Sequence, residues 1–149
     1  MGTDIEKIRK IREETGAGIL DIKKALEEFD GNEEKAKEKL KEVGRKIAEK
    51  KSDRETADGL IYAYIHNGKV GSMIHMACET DFVAKTDEFQ KLCKEVALQV
   101  TSTDYENKDE LLEAEYIRDP SKKIKDLITE TIAQLGENIE LEDFVKLSV

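Results

Sequence analysis

The sequence has no tryptophan, one proline, two histidines and two cysteines, and only 5% of its residues are aromatic. Each scarcity removes a class of protein. Two cysteines cannot staple a disulfide-built scaffold. Cys78, in an apolar run, and Cys93, in a helical pattern, read as small core residues in a reducing compartment. No apolar stretch approaches the roughly 18 residues of a membrane span. Met1-Gly-Thr-Asp-Ile-Glu-Lys7 also lacks a signal-peptide profile, so a cytoplasmic chain with no membrane partner is expected.

Scarce histidine bears on catalysis. If Asn67-Gly68 forms a turn that pairs residue 66 with 69, His75 lies about six residues further along its strand. That is roughly 20 Å from His66 at about 3.3 Å per residue, too far to share an ion. Strand alternation also sets His75 and Cys78 on opposite faces. There is no glycine-rich phosphate loop, nucleophile elbow or Ser/His/Asp set. The expectation is no catalytic residue, no metal, no cofactor and no enzyme.

What is abundant is charge: 40% of residues are charged and the net charge is −9. It is unevenly spread. Residues 1–44 hold ten basic and twelve acidic groups, residues 45–56 five and three, and residues 57–149 ten and nineteen. An acidic body without a basic stripe interleaved with aromatics repels phosphate backbones. The expected partner is a protein, with no direct contact to nucleic acid.

Periodicity divides the chain into the same three parts. Ile5, Ile8 and Ile11 behind Thr3 and Asp4 predict a first helix over residues 3–14. Thr15-Gly16-Ala17-Gly18 breaks it, and Ile22, Leu26 and Phe29 mark a second, stopped by Gly31. Asn32 caps a third with the stripe Ala36, Leu40, Val43 and Ile47, and Gly44 reads as its weak point or end. Residues 1–44 thus form a minimal three-helix bundle. Residues 45–56 are a charged linker able to extend the third helix, and residues 57–149 are a second module.

That module opens with two β-rich runs, Gly59–His66 and Lys69–Cys78, around Asn67-Gly68, the hairpin signal in which both turn residues accept positive φ. A helix over about residues 87–101 buries Phe89, Leu92, Val96 and Val100. Residues 110–117 pass from a short helix into a strand, and Asp119-Pro120-Ser121 punctuates before a helix over residues 122–135 closed by Gly136. Ile139, Leu141, Val145, Leu147 and Val149 share one parity, predicting a last strand with one buried face. The fold class is α+β: a three-helix bundle, then a mostly antiparallel sheet with helices on one face.

Thr80-Asp81-Phe82-Val83-Ala84 falls where strand gives way to helix. Two readings stand. Either Thr80 or Asp81 caps the helix and Phe82 folds back as a staple, or Phe82 protrudes as an anchor for a partner's pocket with a carboxylate beside it.

Three stretches carry a family resemblance: Arg12–Leu26, Glu79-Thr-Asp-Phe-Val-Ala84 and Gly136-Glu-Asn-Ile139, with Asp58-Gly59 before the hairpin. Through them the chain resembles the bacterial elongation factor Ts family, in a short form with a single core subdomain. The resemblance implies a ubiquitin-associated-like bundle, a linker and a core subdomain. It also implies guanine-nucleotide exchange on elongation factor Tu, promoting GDP release during translation elongation. Asp81 and Phe82 would be inserted near the nucleotide and magnesium site, framed by Thr80 and Val83. Arg12, Ile19, Leu20 and Lys23 would dock the bundle, although plain core packing explains Ile19 and Leu20 equally well. The chain departs from family members that carry a second core copy or a long helical insertion, since its segment between Val100 and Tyr116 is short and it stops at Val149. A two-fold homodimer through the hairpin and Ile139–Val149 would cover the edges left open. The alternative is a ubiquitin-associated-like adaptor without exchange activity, which would have no use for the corner.

Overall fold

The computed structural model describes residues 2–149, with side chains from Asp4 onward. Helix α1 (Gly2–Thr15) precedes α2 (Ile19–Glu28) and α3 (Glu33–Lys51). Their shared centre is small: Ile11, Ile22, Ala25, Leu26 and Ala36, with Ile8 and Leu40 half-buried. Ile5 points outward, because each three-residue step falls short of a full 3.6-residue turn, and by Ile5 the stripe has rotated away from Ile11. The cap expected at Thr3 lies outside the described side chains, and Asp4 sits within the first turn. Phe29 is the half-buried C-cap of α2, its place in the core taken by Ala25.

Asn32 caps α3 as its residue type predicts, its Oδ1 accepting from the Lys35 N–H at 3.1 Å. The helix does not end at Gly44. Gly44 is buried where α3 crosses α7 (Ile124–Leu135), and a Cβ placed there would lie 3.5 Å from the Ala133 Cβ. Glycine serves a close helix crossing, so α3 continues through the first seven residues of the expected linker.

Strands β1 (Asp58–His66) and β2 (Val70–Cys78) form the hairpin, with Asn67 at φ 52° and Gly68 at φ 65°. Lys69 joins the loop, so His66 pairs with Val70 rather than with residue 69. The terminal strand β5 (Ile139–Ser148) adds antiparallel to β2, giving the order β1-β2-β5. One face is covered by α5 (Asp87–Ser102) and α7, and α3 packs on α7. The core there is Phe89, Leu92, Cys93, Val96 and Val100 of α5 with Ile74, Met76, Ile128, Ile132 and Leu141. A short helix α6 (Lys108–Glu113) leads to a ribbon of β3 (Glu115–Tyr116) and β4 (Asp119–Lys123). The Asp119-Pro120-Ser121 stretch read as punctuation is therefore strand, and its proline sits in a two-stranded ribbon where a missing N–H is tolerated.

The last strand corrects the parity expectation. Met76 pairs with Leu141 but His75 pairs with Asp143, so Glu142 is an extra residue, a β-bulge. Ile139 and Leu141 before it face the helices. After it Phe144 and Lys146 do, and Val145, Leu147 and Val149 turn to the open side. A one-residue slip moves every later side chain to the other face.

Candidate functional site

The corner that the sequence singles out is a single turn of helix, α4 (Asp81–Ala84), between two threonine caps. Thr80 Oγ1 accepts from the Val83 N–H at 3.4 Å. Thr86 Oγ1 donates to the Val83 carbonyl at 2.7 Å and accepts from the Phe89 N–H at 3.2 Å, starting α5. Val83 and Ala84 are buried and pin the turn to the core. Asp81 faces solvent and receives Lys85 Nζ at 3.2 Å, one helical turn on. Phe82 is 80% exposed. The two readings of this stretch therefore each hold in part: Thr80 is the cap, but Phe82 does not fold back beneath it.

Behind the turn lies a polar network that sequence reasoning left without a role. Glu137, half-buried after α7, accepts from the Thr80 N–H at 3.0 Å and from Thr80 Oγ1 at 2.7 Å. The Asn138 N–H donates to Glu79 Oε2 at 3.2 Å, and its amide nitrogen donates to the Arg54 carbonyl at 2.9 Å. Arg54 Nη1 lies 3.7 Å from Glu79 Oε1, so the chain leaving α3 meets the corner here. The visible signal was Gly136-Glu137-Asn138-Ile139, which carried resemblance but no chemistry. Cys78 also abuts the turn, its Sγ donating to the Thr80 carbonyl at 3.2 Å. Burial, then the Glu137 charge, pushes this thiol up to about 11, and burial pushes Cys93 up to about 12. Both are free and buried, packed as the small core residues their surroundings suggested.

The residues expected to dock the bundle lie on its outer surface. Ile19 is 44% and Leu20 72% exposed at the start of α2, while Ile22 takes the core position. Lys23 is exposed on the same helix. Arg12 lies in the last turn of α1, on the wall of a cleft that Gly18 and Asp21, either side of Ile19, line together with α3 and α7. Among the described residues the side chains of Arg12 and Lys23 make no hydrogen bond or ion pair. Beyond the α3–α7 crossing, the bundle is tied to the core by Lys122, whose Nζ donates to the Glu14 carbonyl at 2.6 Å and pairs with Glu130 at 2.9 Å.

His66 Nδ1 lies 3.0 Å from the Tyr64 hydroxyl, whereas His75 is exposed on the open sheet face between Ile61 and Asp143. Among the described residues no group of three His, Cys, Asp or Glu side chains could hold a metal ion. Among the described residues, too, no helix is long and apolar enough to cross a membrane.

Comparison with known proteins places this geometry in a family. The sequence profile described as elongation factor TS matches residues 79–149, from the corner to the end of β5. Elongation factor Ts of Thermotoga neapolitana is 40% identical over 193 residues, an alignment covering 100% of this chain and 98% of that protein. That span exceeds the 149 residues present here, so the relative carries residues where this chain has none. Elongation factor Ts of Aquifex aeolicus is 46% identical over 98% of this chain, and that of Clostridium botulinum strain 657 is 48% identical over 95%. The chain spans about half the length of these two, 52% and 47% respectively. A relative matched along nearly its whole length, with the corner and Gly136–Ile139 inside the matched profile, means that this chain belongs to the elongation factor Ts family.

Proposed function

We propose that this chain is a guanine-nucleotide exchange factor for elongation factor Tu, working as a binding protein in the cytoplasm rather than as an enzyme. The observation that carries the reading is Phe82, a phenylalanine ring 80% exposed on a turn held rigid from both ends. An exposed ring costs solvation unless a partner covers it, and preorganisation limits the entropy lost when one does. Asp81 and Phe82 form the probe, with Thr80 and Val83 as its frame. Arg12, Ile19, Leu20 and Lys23 form the docking surface.

Exchange requires negative coupling: the factor must bind Tu better in a shape that holds GDP and Mg²⁺ poorly. Each tenfold acceleration of release takes about 1.4 kcal/mol off the dissociation barrier. A ring wedged between the partner's helices can shift them, and the Asp81 carboxylate alters the field at a divalent ion and phosphates. Residues 1–44 supply docking and residues 57–149 the probe, with 45–56 joining them as a largely helical strut. The test is release of a fluorescent GDP from cognate Tu with and without this chain. Unchanged release across micromolar concentrations overturns the reading.

We also propose that the chain pairs with itself through the open sheet face. Ile61, Ala63, Ile65, Met73, Val145 and Leu147 are exposed there, and Met73 lies between Ala63 and Val145 in register. Such a contiguous apolar face calls for a cover, and a two-fold axis through it brings identical apolar residues together.

A further inference from the structure

Gly136-Glu137-Asn138-Ile139 plays no part in the exchange reading, yet it is built into the corner. Gly136, at φ 78°, ends α7 with its N–H on the Ile132 carbonyl at 2.8 Å. Ile139 then pairs with Cys78 at the end of the β2–β5 ladder. Extending that register two residues sets Thr80 opposite Glu137. There a carboxylate takes over from the backbone, and its two oxygens accept the Thr80 N–H and hydroxyl.

The consequence lies in the hydroxyl's single proton. Given to Glu137 Oε2, it leaves an Oγ1 lone pair facing the Val83 N–H, an orphan donor at the third residue of α4. A four-residue helix cannot sustain itself, because nucleation fixes several residues for one hydrogen bond. Charged acceptors make the stronger bonds, so the carboxylate is the firmest tie on the turn.

We infer that Glu137 is a positioning residue for the corner: it clamps Thr80 so that α4 is formed, and Phe82 presented, before any partner arrives. The inference deepens the exchange reading and rests on it for its functional consequence alone. Glu137 reaches neither nucleotide nor partner in this scheme and acts through Thr80. Asn138 keeps the clamp in place by tying Glu79 to the Arg54 carbonyl.

The test has two arms. In the free chain, hydrogen exchange of the Thr80 and Val83 amides is compared among the native protein, Glu137→Ala and Glu137→Gln. With Glu137→Ala both amides exchange about tenfold faster or more, as loss of a charge-assisted bond implies, while those of mid-α5 keep their protection. Glu137→Gln, which retains one acceptor oxygen, lies between. In GDP release from Tu, Glu137→Ala raises the half-saturating concentration about tenfold and leaves the maximal rate nearly unchanged, because a formed turn helps binding and the ring itself is intact. Thr80→Val removes the hydroxyl from the other side, and the double variant is no worse than the worse single one. Unchanged Thr80 and Val83 exchange in Glu137→Ala overturns the clamp, as does native half-saturation or full additivity with Thr80→Val. If native protein does not accelerate GDP release, the exchange reading falls, and the amide arm alone decides the clamp.

Discussion

Gly44 of α3 lies against Ala133 of α7, with room for a Cβ at 3.5 Å from the Ala133 Cβ and for little more. That distance is ordinary van der Waals contact, and mid-helix glycine is less favourable than alanine by about 0.5–1 kcal/mol. Gly44→Ala should therefore raise stability by up to that amount, read as a shift in urea midpoint at unchanged slope. Gly44→Leu should wedge the helices apart at about 1–3 kcal/mol. If both substitutions destabilise equally, the crossing is tighter than this geometry allows.

Phe82→Ala should leave stability within about 0.5 kcal/mol, since the ring buries almost nothing in the free chain. It should slow GDP release from Tu by more than about tenfold, the worth of a typical anchor of about 2 kcal/mol. Asp81→Asn, measured alongside, separates the field from the wedge. Native exchange by Phe82→Ala would remove the ring from the mechanism.

The open sheet face gives a prediction about mass. In moderate salt, where the net charge of −9 is screened, the chain should sediment at micromolar concentration with twice its 16.9 kDa mass. Met73→Glu sets like charges near the proposed two-fold axis and should return the protein to 16.9 kDa. A mass of 16.9 kDa for the native chain at every concentration rejects the pairing.

The buried thiols set an alkaline limit. Cys78 and Cys93 hold their protons in the folded state up to about 11 and about 12, because burial disfavours the thiolate. A folded pKa above the unfolded one gives stability that is complete below about pH 8.5, the ordinary thiol value, and is lost as pH rises toward the folded value. Unfolding midpoints should fall from pH 9 to 11, and Cys93→Ala should flatten that slope whatever it does to stability at neutral pH. An identical slope in the variant would place the alkaline loss elsewhere.

Local chemistry made much of this legible. Asn67-Gly68 demanded positive φ and received it, Asn32 and Gly136 cap where their residue types say, and the α5 stripe is buried as spaced. The failures share a cause, which is tertiary. Glu142 looks like any strand residue, and only pairing with β2 reveals it as the bulge that turns Val145 and Leu147 outward. Gly44 reads as a break until α7 is known to lie against it. At the corner, Thr80, Asp81, Phe82 and Val83 were visible because they are contiguous. Glu137 was not, because it reaches Thr80 across 57 residues of chain.

The bundle's role is best tested by substitution rather than deletion. A fragment beginning at residue 53 would strip α3 from α7 and uncover Ala133 and the core beside Ala48, mixing lost docking with lost stability. Leu20 avoids this: it is 72% exposed on α2, while Ile22 holds the bundle's centre. Leu20→Ala should leave the unfolding midpoint unmoved and raise the concentration for half-maximal GDP release several-fold, because one of two tethered contacts supplies effective concentration to the other. The maximal rate should hold, since the probe is intact. Ile19→Ala, at 44% exposure, should do less of the same. Should Leu20→Ala lower the unfolding midpoint while leaving half-saturation at the native value, Leu20 belongs to the packing of the bundle and the docking surface lies elsewhere.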